Sequence, residues 1–230
     1  MIIETFITTI FQQNTRVLAC AETRRAVCID PGAAPDTIAE FITSNNLDLQ
    51  AITLTHAHLD HIGGVFDLHK FFPHAEIILH RDDEEMYYAL PEQPLLMGIP
   101  RGELKALGLE YAPPPRLTRY WQDGEIYAVG NLRFKISHCP GHAPGHVILA
   151  EENLRKVFSG DCLFAGSIGR TDLPGGDYEQ LINSITVKIL PLGDDVTVYS
   201  GHGEDTSIGH EKATNPFLTG VDQMTQGNFA

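Results

Sequence analysis

The stretch LTHAHLDHIGG, residues 54–64, places His56, His58, Asp60 and His61 within six positions, directly after a run of apolar residues. Imidazole and carboxylate are the donors that zinc and non-haem iron take, so this density marks a candidate metal site. A histidine-rich polar loop has the same local composition, and what separates the two readings is recurrence elsewhere. CPGHAPGH supplies His142 and His146, SGDC supplies Asp161, and SGHG supplies His202, each after a short apolar run and each beside glycine. Asp30 stands in the same relation to AVCID. Glycine permits close backbone approach, and loops at strand ends on one rim of a sheet are where active sites are commonly assembled. A stray cluster predicts none of this repetition.

The elements that must deliver these residues are legible in hydrophobic period and turn chemistry. Residues 2–10, 15–20 and 26–30 read as strands, the last stopped by Asp30-Pro31-Gly32. Residues 34–46 have helical spacing, and 49–55 form a nearly continuous apolar strand that runs straight into the histidine cluster. A helix over 63–72, a strand over 75–80 and a short acidic helix over 81–90 follow. Residues 91–115 carry PEQPLLMGIP and APPP, which predict a long irregular excursion around one short helix at 102–107. Such a loop is either a binding lid or a tolerated insertion. Residues 125–140 and 146–161 read as hairpins, the first turning at Gly130-Asn131; a helix over 177–190, a strand over 195–201 and a terminal helix over 207–217 complete the pattern.

Bulk properties narrow the function. At 230 residues, 43% hydrophobic and 20% charged, the chain has ordinary globular composition and enough length for a large core. A formal net charge of −14, with no basic run longer than Arg24-Arg25, argues against nucleic acid or an anionic membrane as partner. Cys20, Cys28, Cys139 and Cys162 form no CxxC pair and read as buried thiols of a reducing compartment. MIIETFITTIFQQNT has no basic start and no long apolar run, so it does not read as a signal peptide, and a soluble cytoplasmic protein is expected. His69, His74, His80, His138 and His210 fall outside the recurring blocks and are assigned to surface or partly buried positions. Tyr87-Tyr88 and Phe71-Phe72 read as core aromatics, and the run DDEE as a solvated helix face.

The ordered set HxHxDH (His56, His58, Asp60, His61), then His142, Asp161 and His202, with Asp30 ahead of it, resembles the signature of the metallo-β-lactamase-fold superfamily across residues 30–216. Within it, GDCLFAGSIGRTDLPGGDYEQL (160–181) resembles the glyoxalase II and persulfide dioxygenase branch. GHGEDTSIGHEKATNPF (201–217) resembles the short glyoxalase II-like, or hydroxyacylglutathione hydrolase-like, enzymes. The residues run only a little past Pro216, so the C-terminal helical domain that supplies glutathione-binding basic residues in full-length glyoxalase II is not expected here.

This resemblance implies an α/β fold, a four-layer αββα sandwich, as one domain over 1–218 with a polar tail over 219–230. It implies two divalent metal ions, zinc expected and iron or manganese as alternatives. His56, His58 and His142 would hold one ion, Asp60, His61 and His202 the other, with Asp161 bridging. Asp60 would also act in catalysis by orienting the metal-activated hydroxide, Asp30 and His146 would orient liganding groups from behind, and Arg170 would bind an anionic substrate. The leading expectation is hydrolysis of a thioester of the S-lactoylglutathione type, with a glutathione-derived small molecule as partner. The alternative is a mononuclear iron dioxygenase of the persulfide dioxygenase kind, using His56, His142 and Asp161. An RNA-processing nuclease is disfavoured by the charge, and a β-lactamase by the lack of an export signal. Oligomeric state is left open.

Overall fold

The computed structural model describes residues 1–220. Six strands form the first sheet in spatial order: β1 (Ile2–Thr8), β2 (Gln13–Ala19), β3 (Arg25–Ile29), β4 (Asp48–Thr53), β5 (Glu76–His80) and β6 (Arg119–Trp121). Neighbours are antiparallel from β1 to β3 and parallel from β3 to β6. β7 (Ile126–Val129), β8 (Leu132–His138), β9 (Val147–Glu151), β10 (Lys156–Gly160), β13 (Thr197–Ser200) and β14 (Thr206–Ser207) form the second, with β10 and β13 parallel and every other pair antiparallel. β11 (Leu163–Phe164) and β12 (Ser167–Ile168) make a separate ribbon.

Strand side chains alternate between faces, and here both faces are apolar because both are covered. Leu18, Val27, Ala51 and Ile78 of the first sheet meet Phe134, Val147, Leu149 and Phe158 of the second in an inner core. The opposite face of the first sheet, with Val17, Cys28 and Ile52, packs on Ile38 and Ile42 of α1 (Pro35–Ser44), on Ile62 of α2 (Leu59–Ile62) and on Leu68 of α3 (Val65–Phe71). The outer face of the second sheet packs Ile148, Val157 and Val198 on Leu181, Ile185 and Ile189. This is the expected four-layer αββα arrangement. All four cysteines are buried and unpaired. Among the described residues no helix is long and apolar enough to cross a membrane.

Several elements depart from expectation. β6 is unforeseen, because three residues are too short for a periodic signal and it exists by pairing with β5. α4 (Glu84–Tyr88) follows a 3-10 turn at Arg81–Asp83, and the proline-rich excursion holds an unforeseen single turn, α5 (Gln93–Leu96), ahead of α6 (Leu104–Leu107), which lies within the helix expected over 102–107. The helix expected over 177–190 is regular only as α7 (Tyr178–Ser184), then widens to a π-turn over Ile185–Ile189 before Pro191, which has no N–H to continue it. α8 (Ile208–Thr214) and α9 (Pro216–Thr219) close the described chain, so helix runs past the expected tail boundary. Residues 221–230 of that tail lie outside the described residues.

One contact links the inner core to the histidine loop. Trp121 is 1% exposed, packs edge-on against Tyr127, and donates from Nε1 to the Leu54 carbonyl at 3.2 Å. Trp121→Phe keeps an aromatic ring but removes that bond and part of the volume, so stability should fall by about 1–3 kcal/mol. Urea unfolding checks this: the midpoint should drop with the slope unchanged.

Candidate metal centre

Strand ends of both sheets meet on one rim. β4 runs into Thr55 and His56, the single turn of α2 carries Asp60 and His61, the loop after β8 carries His142, and the ends of β10 and β13 deliver Asp161 and His202. Gly160 sits at φ 49° where the chain turns out of β10, and a Cβ there would meet His146 Nε2 and Thr55 Oγ1 at 2.7 Å. Only glycine satisfies both demands.

Two donor groups result. In the first, His142 Nε2 lies 2.9 Å from His58 Nδ1 and 3.2 Å from His56 Nε2. In the second, His202 Nε2 lies 3.2 Å from Asp60 Oδ2 and 3.3 Å from His61 Nε2. Asp161 stands between them, with Oδ2 at 3.6 Å from His142 Nε2 and 3.5 Å from His202 Nε2, and Oδ1 at 3.3 Å from His61 Nε2. His56 and His61 are fully buried, while Asp60 and His202 face partly outward.

Hydrogen bonds on the far side of each ring decide what these nitrogens present. Thr55 Oγ1 donates to Asp30 Oδ2 at 2.6 Å, so it must accept from His56 Nδ1 at 3.0 Å. His142 Nδ1 donates to the Arg170 carbonyl at 2.7 Å, His61 Nδ1 to Asp30 Oδ2 at 3.0 Å and His202 Nδ1 to the Phe11 carbonyl at 3.1 Å. In the neutral tautomers so specified, four Nε2 lone pairs point inward. Burial and the facing imidazoles hold His56 well below the ordinary histidine value; burial and His142 bring His58 to about 3.

The donor set fits divalent cations. Asp161 Oδ1 is buried with no hydrogen-bond donor, facing the His61 lone pair. Two acceptors in that relation repel, and a cation between them satisfies both. Burial opposes charging of His61, yet Asp161, Asp60 and Asp30 outweigh it and raise its value, so the carboxylates demand positive charge at this point. His202 is likewise raised against burial, by Asp60 and Asp161.

The remaining expected residues are placed as follows. Asp30 holds φ 50° and accepts from the Thr55 N–H at 2.7 Å as well as from Thr55 Oγ1 and His61. Fully buried His146 accepts the Asp161 N–H on Nε2 at 3.0 Å and points Nδ1 at Cys162 Sγ, 3.3 Å away. Arg170 is exposed; its guanidinium pairs with Asp172 through two contacts of 2.7 Å, while its carbonyl holds His142. From the excursion, the Tyr111 ring packs on Gly63 beside α2, and burial and Asp60 push its phenol well above the ordinary tyrosine range.

Two residues went unforeseen. The run DDEE is not wholly a solvated face: Asp83 is fully buried, and its carboxyl is raised to about 6 by burial against two backbone N–H bonds. Gln93, also buried, donates to the Ala57 carbonyl at 2.8 Å. The available signal for Asp83 was its place just beyond a strand end on the same rim. His80 and His138 also approach each other, with Asp82, but their rings stack 4.1 Å apart at 9°. Lone pairs in parallel planes do not converge on one ion. A cavity of about 390 Å³ lies elsewhere, on the outer face of the second sheet, where Lys135, Arg155 and Lys188 are already paired with Glu152, Asp195 and Asp123.

The chain is similar to several known proteins. Hydroxyacylglutathione hydrolase GloC of Haemophilus influenzae is 40% identical over 218 residues, which are 95% of this chain and 98% of that protein. The BLEG-1 B3 metallo-beta-lactamase is 35% identical with a TM-score of 0.81, covering 95% of this chain and 100% of that one. TTHA1623, crystallised in a di-iron-bound form, is 36% identical with a TM-score of 0.76, over 94% and 100%. ETHE1 from Myxococcus xanthus, at 24% identity and a TM-score of 0.77 over 100% and 92%, shares the fold. The metallo-beta-lactamase superfamily model matches residues 8–202, and the chain belongs to that superfamily.

Proposed function

We propose that the chain is a metal-dependent hydrolase of a thioester of the hydroxyacylglutathione type. The observation that carries this is Asp161 Oδ2, poised 3.6 Å from His142 Nε2 and 3.5 Å from His202 Nε2, between two complete donor groups. A mononuclear dioxygenase needs only His56, His142 and Asp161 and leaves the second group without a purpose. The likeness to hydroxyacylglutathione hydrolase GloC supports the hydrolase reading, and the likeness to a relative crystallised with two irons supports the dinuclear one.

His56, His58 and His142 would hold one divalent cation, Asp60, His61 and His202 the other, and Asp161 both. Two such ions supply Lewis acidity toward a carbonyl and bring the pKa of water toward neutrality. The protein's part is orientation. Asp60, beside His202, accepts a proton of the attacking water in a hydrogen bond and aims its lone pair. Asp30 and His146 fix His61 and the Asp161 backbone. A thiolate departs readily, so no protein acid is required at the leaving atom. Arg170 is the cation that a glutathione carboxylate would meet on the His142 side, and its exposed pair with Asp172 is weak enough to yield to a substrate.

Three outcomes are expected. Asp161→Ala should lose bound metal, measured by elemental analysis, while His69→Ala retains it; equal content in both would remove the bridging role. The purified protein should release thiol from S-lactoylglutathione with no oxygen uptake, and His202→Ala should slow this by more than the about 10–100-fold that changes behind a ligand produce. Rapid oxygen consumption with glutathione persulfide and negligible thioester cleavage would favour the dioxygenase. Arg170→Ala should raise KM about tenfold or more for a glutathione thioester but not for an uncharged one, as loss of a charge-assisted bond implies. A parallel rise for both substrates would leave Arg170 a structural role alone.

A further inference from the structure

Two loops carry the first donor group, and one side chain holds both. Ala57 is the residue between His56 and His58, and Gly145 lies between His142 and His146. Asp83 Oδ2 accepts the Ala57 N–H at 3.0 Å and Asp83 Oδ1 accepts the Gly145 N–H at 2.5 Å. A Cβ on Gly145 would meet the Asp83 carboxylate at 2.8 Å, so glycine there is what lets the carboxylate in. On its other side the Ala57 peptide is held by Gln93, whose amide donates to the Ala57 carbonyl at 2.8 Å and to the Met86 carbonyl at 2.9 Å. Asp83 touches none of the donor atoms, and no charged side chain pairs with it among the described residues.

We propose that Asp83 is a positioning residue that sets the spacing of His56, His58 and His142 by tying both of their loops to one carboxylate, and so governs the affinity of that group for a divalent cation. This rests on the ligand assignment proposed above. Zinc–nitrogen bonds lie within a narrow range near 2.0–2.1 Å, so nitrogens on separate loops must be held in register before the ion arrives. The second group has its own supports, Asp30 behind His61 and the Phe11 carbonyl behind His202, and makes no use of Asp83. The effect therefore falls on one of two binding steps.

Asp83→Asn tests this with little change of volume, because the new amide can accept from only one of the two N–H groups. The full chain, stripped of metal, is titrated with Co2+ against a chelator while its visible absorption is followed. Asp83→Asn should weaken one of the two steps by about 10–100-fold, with an altered spectrum for that equivalent and the other step unchanged. The step weakened should be the one that His58→Ala abolishes. Exposed Asp82→Asn should leave both as in the wild type. Should Asp83→Asn not fold, Gln93→Met, which frees the same Ala57 peptide from its other side, should weaken the same step to a smaller degree. Unchanged affinities in a folded Asp83→Asn chain, or equal weakening of both steps, overturn the proposal. A wild-type chain that takes up no Co2+ overturns the ligand assignment and this inference with it.

Discussion

A neutral imidazole that spends one nitrogen as a donor must present a lone pair at the other, and the rim site depends on that constraint. Thr55, Asp30 and the carbonyls of Arg170 and Phe11 each take one ring proton, from His56, His61, His142 and His202 respectively. None of these acceptors is remote from a strand end. Thr55 extends β4, Asp30 terminates β3, and the Arg170 carbonyl lies just beyond β12. Inward-facing lone pairs are thus a product of secondary-structure termini, held as rigidly as the sheets themselves.

Charge makes the same site expensive to bury. Asp60 and Asp161 bring two carboxylates into a region where His56, His58 and His142 stay neutral because burial disfavours their charged forms. Negative charge then exceeds positive, and only His61 and His202, raised by those carboxylates, lean toward protonation. A buried site of this kind is stable when cations supply the balance. The net charge of −14 sums buried and exposed carboxylates alike and does not locate this interior demand.

The two sheets divide the labour of placing these groups. The first supplies Asp30, His56 and, through α2, Asp60 and His61; the second supplies His142, Asp161 and His202. Their shared inner core, with Phe134 and Phe158 meeting Leu18 and Ile78, fixes the distance between the two sets. Bonds such as the Gly201 N–H to the Gly160 carbonyl at 2.8 Å, and the Val147 N–H to the Thr55 carbonyl at 2.8 Å, stitch the rim where the candidate ligands emerge. Close packing there excludes a side chain at Gly160 and Gly201, which is why those strand exits are glycine.

Much of this was legible in the chain alone. Donor type is a property of the side chain, and strands announce themselves by period, so His56, His58, Asp60, His61, His142, Asp161 and His202 could be picked out with the strands that deliver them. One α/β domain followed from the same pattern, and the four-layer arrangement from resemblance alone. Three-residue β6, the π-turn after α7 and the extra helical turn α5 of the excursion could not be read, because each is shorter than any period and exists by pairing or packing. Asp83 was hidden for a related reason: in an acidic run nothing local distinguishes the buried carboxylate, and its partners Ala57 and Gly145 lie 26 and 62 positions away. Residue order determined which atoms could bind a cation. Which nitrogen of each ring faces inward, and which carboxylate locks the loops, only the tertiary structure decided, because both depend on hydrogen bonds between segments that folding alone brings together.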